Sequence, residues 1–258
     1  MRDKIFTEVK TVQFFQNLLY PFKADEVKTQ TILTDESYYP GELMKGSVRI
    51  ESKKNRQRVD SLYLKIFTQF EKKINGKKLL VTYPISKNKL IQTIYVEPGV
   101  EQVIPFTIQL PLLTPLSVGN SKIWLQTELD FANRKDPSYQ NELMVTPSSL
   151  YQSFFILCNE MGFRLKNSYC IHNETAQMIA QPYVQIFVFA SVQETINQFL
   201  QVIASFIPMT EEKALLSIQW STKKHMQRKG QWDKLEFSMA NFSQVKEYLI
   251  QQLNAFVE

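Results

Sequence analysis

Residues 101–130 read EQVIPFTIQLPLLTPLSVGNSKIWLQTELD, and the alternation in this stretch decides the class of fold. It contains two runs of period-2 hydrophobicity, the pattern of strands with one buried face. Between them lies a stiff connector in which Pro111 and Pro115 fix φ, while Gly119 opens the second strand. Pro105 inside the first run cannot donate to a ladder, so that strand belongs at the edge of a sheet.

Working outward from this stretch, the preceding residues keep the same grammar. Residues 27–34 alternate as a first strand, Tyr39-Pro40-Gly41-Glu42 is a turn, and residues 45–52 return as a second strand. Residues 59–71 place Leu62, Leu64, Ile66, Thr68 and Phe70 on one face and Tyr63, Lys65, Phe67 and Gln69 on the other. Asn75-Gly76 predicts a hairpin turn leading to a strand over 79–83, a further strand covers 90–96, and Pro98-Gly99 turns the chain into the opening stretch. Residues 141–145 close the series. Strands at this spacing with no helix among them predict an antiparallel β-sandwich over residues 24–147.

Near Thr146-Pro147 the period changes from 2 to 3.6. Leu150, Tyr151, Phe154, Phe155, Cys158 and Met161 form one helical stripe, and Gly162 stands where such a helix would end. Alternating apolar runs follow over 163–172, 183–190, 196–207, 214–220 and 234–239. They predict a second β-sandwich over residues 148–258, closed by a helix that Asn241 and Gln244 would cap. At the other end, Val9, Val12, Phe15, Leu18, Leu19 and Phe22 recur at helical spacing, giving an amphipathic helix within residues 1–23. Its polar face lacks a row of lysines, which favours packing on protein over lying on lipid.

The 258 residues carry 44% hydrophobic and 21% charged side chains, a composition suited to two packed units. No window has the run of about 18–20 apolar residues that a membrane span needs, and no signal-peptide profile opens the chain, so the expected location is the cytoplasm. The net charge of +5 is uneven. From Lys45 to Lys89, 13 Lys and Arg face three acids, giving a local charge of +10 concentrated in residues 53–58 and 72–78. If 59–71 is one strand, these runs sit at its two ends, roughly 40 Å apart. That separation argues against a single nucleic-acid patch.

Catalytic constellations are sparse. His172 and His225 are the two histidines, neither in a catalytic motif, and Cys170 with His172 supplies too few ligands for a zinc site. Cys158 and Cys170 read as small buried hydrophobes rather than a disulfide. No phosphate-cradling glycine motif occurs. Trp124 and Trp220 fall in strands, whereas Trp232 and the basic run at 223–229 mark a hairpin that could meet phosphate.

The order of several short motifs resembles the SpoOM family, sporulation-control proteins built like arrestins. These are Tyr39-Pro40-Gly41-Glu42 with Gly46, Ile104-Pro105-Phe106 with Leu110-Pro111, and Thr114-Pro115 with Ser117-Val118-Gly119. Lys122 with Trp124, Leu129-Asp130, Asp136-Pro137 and Gly162-Phe163-Arg164 complete the set. The resemblance implies a mainly β protein of two arrestin-like antiparallel β-sandwich domains with N-terminal, linker and C-terminal helices. It implies no enzyme, and a regulatory or scaffold role in sporulation, stress response or cell organisation. The loop around Asp136 is poorer in acids than the family pattern, so neither metal nor cofactor is expected there.

The functional expectation is binding to proteins, with a homodimer open and no nucleic acid. The candidate contact residues are Phe14, Phe15, Leu18 and Leu19 on the N-terminal helix and Lys53, Lys54, Arg56 and Arg58 in the first basic run. The alternative is a peripheral adaptor whose basic loops touch anionic lipid.

Overall fold

In the computed structural model, residues 27–131, 134–135, 139–173, 181–192, 199–222 and 232–257 are described. The helix expected within residues 1–23, with Phe14, Phe15, Leu18 and Leu19, lies outside them, as do Asp136 and the basic run at 223–229.

The first half is laid down by β1 (Val27–Leu33), β2 (Leu43–Ser52), β3 (Gln57–Val59), β4 (Ser61–Ile74) and β5 (Lys77–Ile91). β6 (Ile94–Val96), β7 (Gln102–Gln109), β8 (Ile123–Phe131), β9 (Arg134–Lys135) and β10 (Tyr139–Glu142) follow. β1, β2 and β7 make one sheet in that order, and β10, β8, β4 and β5 lie side by side in the other. β7 occupies an edge, which is why Pro105 is tolerated opposite Ser47. Met44, Val48 and Ile50 from the first sheet and Leu62, Leu64, Ile66 and Leu125 from the second share one interior, all fully buried. The period-2 pattern of β4 therefore reflects burial of one face only. Thr31 and Thr127 join hydroxyls across the gap between the sheets.

Turn chemistry sets the register. Gly41 sits at φ 95°, and the Glu42 amide donates to the Tyr39 carbonyl at 3.1 Å. Asn75 and Gly76 both take positive φ, 51° and 77°, the conformation in which a two-residue hairpin matches strand twist.

The second half begins with α1 (Ser149–Glu160), followed by β11 (Phe163–His172), β12 (Tyr183–Ser191), β13 (Phe199–Pro208), β14 (Lys213–Thr222), β15 (Asp233–Ser238) and α2 (Phe242–Val257). Its five strands form one antiparallel run in sequence order. Where the sequence led us to expect a facing second sheet, the cover seen among the described residues is helical. Phe154 of α1 is fully buried, with ring centroids 5.7 Å from Phe189, 5.1 Å from Phe206 and 6.0 Å from Phe237. Val245 and Leu249 of α2 join the same core. An apolar run of strand length shows that one face is covered without showing by what.

Two further expectations change. The separate strands foreseen over 79–83 and 90–96 are instead one long β5 that runs through Pro84, plus the short β6; register slips opposite Leu62/Tyr63 and Ile66/Phe67 absorb the irregularity. The expected Asn241–Gln244 cap is replaced one turn earlier. The Ser238 amide donates to Asn241 Oδ1 at 2.8 Å, and a short 3-10 turn, Met239–Asn241, leads into α2.

The two halves are continuous through β4. Its first part pairs with β8 from Ser61 to Thr68, and beyond the end of β8 the same edge is taken over by β11, with Glu71 opposite Ile171 in parallel. The connector of residues 111–122 then docks on the second half. Gly119, at φ 63°, lies so close to β11 that a Cβ there would meet the Ser168 nitrogen at 2.4 Å, and the Asn120 amide donates to the Ser168 carbonyl at 2.7 Å. The deciding stretch of the sequence is thus also the joint between the halves.

Candidate interaction surface

β5 pairs with β4 on one side and, among the described residues, with nothing on the other. Pro84 is accommodated in this strand because it lies on the edge of the sheet. The result is a strand of 15 residues whose outer row of backbone donors and acceptors has no ladder partner among the described residues. Lys77, Lys78, Lys87 and Lys89 are exposed along it. Lys87 and Lys89 place their ammonium groups 4.0 and 5.8 Å from the ring centre of Tyr63 on the neighbouring β4.

The β4–β5 ribbon outruns its own core. Phe70 is buried against Cys170 and Tyr183, with Val81 and Tyr83 packed beside it. Past that point every residue from Lys73 to Leu80 is exposed. Three of them are large and apolar: Ile74, Leu79 and Leu80, at 42%, 47% and 63% exposure. Lys72, Lys73, Lys77 and Lys78 surround them, and Glu71 at the base pairs with Lys78 at 2.8 Å.

The basic residues expected to make contacts lie at the other end of β4. Lys53 and Lys54 are exposed in the loop after β2. Arg56 bonds Glu97 at 2.9 Å and lies 4.3 Å over the Tyr95 ring, and Arg58 bonds Asp60 at 2.9 Å. Two of these four cations are therefore locally compensated, and the loop is not joined to the hairpin tip. The exposed apolar residues of the tip went unnoticed in the sequence because ILE-type alternation looks the same inside a core as beyond its end. The Asn75-Gly76 turn within a lysine run was the available signal.

Among the described residues, the two thiols are buried and the imidazole of His172 is half-buried. Burial pushes the Cys170 thiol up to about 12, and the Cys158 thiol is also raised by burial. The His172 ring stacks on Phe70 at 5.9 Å, and its Nδ1 bonds the Pro182 carbonyl at 2.8 Å. Among the described residues no three His, Cys, Asp or Glu side chains are grouped to hold a metal. No helix of the described residues is long and apolar enough to cross a membrane.

Comparison with known proteins agrees with this architecture. Residues 15–220 match the family model described as SpoOM protein. The sporulation-control protein spo0M of Bacillus subtilis (strain 168) is 27% identical over 191 residues, covering 73% of each chain. The crystal structure of Spo0M from Bacillus subtilis superposes with a TM-score of 0.77 at 22% identity, covering 90% of this chain and 99% of that one. The present chain belongs to the SpoOM protein family.

Proposed function

We propose that this protein is a non-enzymatic regulator of the sporulation-control type, acting by adhesion to other proteins, and that its principal contact is strand addition along β5. The observation that carries the proposal is the long edge of β5, unpaired among the described residues. A partner segment laid along it would gain ladder hydrogen bonds whatever its sequence, and its side chains would set specificity. Lys77, Lys78, Lys87 and Lys89 select an extended segment rich in Asp and Glu. A second copy is the poorer occupant of this edge, because it would bring four more lysines to an edge that already carries four, a common guard against self-association. The B. subtilis relative is named a sporulation-control protein, and the regulatory part of the proposal follows it.

The test is a photo-crosslinking residue at exposed Thr82, compared with one at exposed Arg164, in cells that express the full chain. A partner captured at position 82 and not at 164, lost in the Lys87→Glu/Lys89→Glu variant, supports the reading. It is carried further if purified partner slows amide exchange along β5. Capture at 164 alone, or unchanged exchange in β5, removes it.

A further inference from the structure

We infer that the tip of the β4–β5 hairpin is a membrane-contact element, whose ligand is the surface of a bilayer containing anionic phospholipid. The tip stands clear of the described body: a Cβ built on Gly76 would meet nothing within 4 Å. Leu79 lies opposite Lys72 and Leu80 opposite Glu71, so successive apolar residues occupy opposite faces of the ribbon. A groove on a protein covers one face of such a ribbon, whereas the boundary between headgroups and acyl chains surrounds both. Ile74, Leu79 and Leu80 enter that boundary while Lys72, Lys73 and Lys77 remain at the phosphates and Lys78 stays paired with Glu71, the division of labour of an interfacial anchor. Each ammonium near an anionic surface strengthens binding about fivefold, and the apolar residues add the part that salt does not screen.

The other basic loop lacks this combination. Arg56 and Arg58 are paired with carboxylates there, and exposed Tyr95 lies beneath Arg56. The contact therefore belongs to the hairpin tip and not to residues 53–58. It does not depend on which protein pairs with the edge of β5, since that reading is tested with soluble partner at position 82.

The experiment is co-sedimentation of the full chain with vesicles of phosphatidylcholine alone and of phosphatidylcholine with phosphatidylglycerol. One variant carries Ile74→Ser, Leu79→Ser and Leu80→Ser; a second carries Lys72→Gln, Lys73→Gln and Lys77→Gln; a control carries Lys53→Gln and Lys54→Gln. Far-ultraviolet circular dichroism confirms that each is folded. We expect binding to the phosphatidylglycerol vesicles, at least tenfold weaker in either tip variant and unchanged in the control. A Leu79→Cys variant labelled with an environment-sensitive dye should shift to the blue on these vesicles, and burial of Cys158 and Cys170 keeps the label on the tip. Absence of binding, binding that survives the tip variants, loss in the control, or an unshifted dye overturns the inference. So does retention on an acidic polypeptide with none on vesicles, which would make the tip a protein contact.

Discussion

Gln185 of β12 grips Leu116 of the connector by both backbone groups: Oε1 accepts from the Leu116 amide at 2.7 Å, and Nε2 donates to the Leu116 carbonyl at 2.9 Å. The same Nε2 lies 3.0 Å from Ser121 Oγ and 2.9 Å from Ser168 Oγ. The whole arrangement is buried, so a side-chain amide does here what a strand would do elsewhere.

Gln185→Leu leaves the amide and carbonyl of Leu116 without partners in a dry site. Urea denaturation should show a loss of about 2–4 kcal/mol. Proteolysis should open first between residues 111 and 122. A loss below about 1 kcal/mol would mean that water replaces the side chain.

Gly119→Ala and Gly76→Ala separate backbone strain from steric conflict. Both glycines have positive φ, 63° and 77°, so each substitution carries the left-handed penalty of about 1–2 kcal/mol. Gly119 alone faces backbone, with the Ser168 nitrogen at 2.4 Å from an added Cβ. Thermal unfolding should place Gly119→Ala well below Gly76→Ala; equal melting temperatures would refute the close docking of the connector.

Phe154→Ala removes a fully buried ring from among Phe189, Phe206 and Phe237. The expected cost is about 3–5 kcal/mol in urea denaturation. Loss of helical signal ahead of strand signal would show that α1 lifts off before the sheet it covers.

Stability should fall on the alkaline side. Burial disfavours the Cys170 thiolate and pushes the thiol from the 9.0 of an exposed cysteine up to about 12. Above pH 9 the unfolded chain has shed a proton that the folded one keeps. The stabilisation is thus complete below that pH and is lost as pH climbs towards 12. Cys158, Tyr151 and Tyr183 are raised by burial in the same direction. Urea midpoints should decline steadily from pH 9 upward, and Cys170→Ala should flatten that decline.

Much of the first half was legible in the sequence because each strand there has one wet face. The alternation from Leu62 to Phe70 names the inner and outer residues of β4 without ambiguity. The strand foreseen over 79–83 stops just before Pro84, whereas β5 runs through it, because an edge strand has no need of every amide. The joint between β4 and β11 left no local trace: the parallel register of Glu71 and Ile171 spans a hundred residues. In the second half, the apolar runs announced burial but not that α1 and α2 supply the cover. At the surface, the lysine runs could be read directly. Whether Arg56 and Arg58 would meet Glu97 and Asp60, or Leu80 would lie past the end of a core, depended on neighbours that only folding brings near.

β4 is one strand that pairs with β8 of the first half and meets β11 of the second, so a single element ties the two together. Whatever seizes the far end of that strand pulls on both halves at once, so orientation at a surface would be dictated mechanically rather than by a flexible tether.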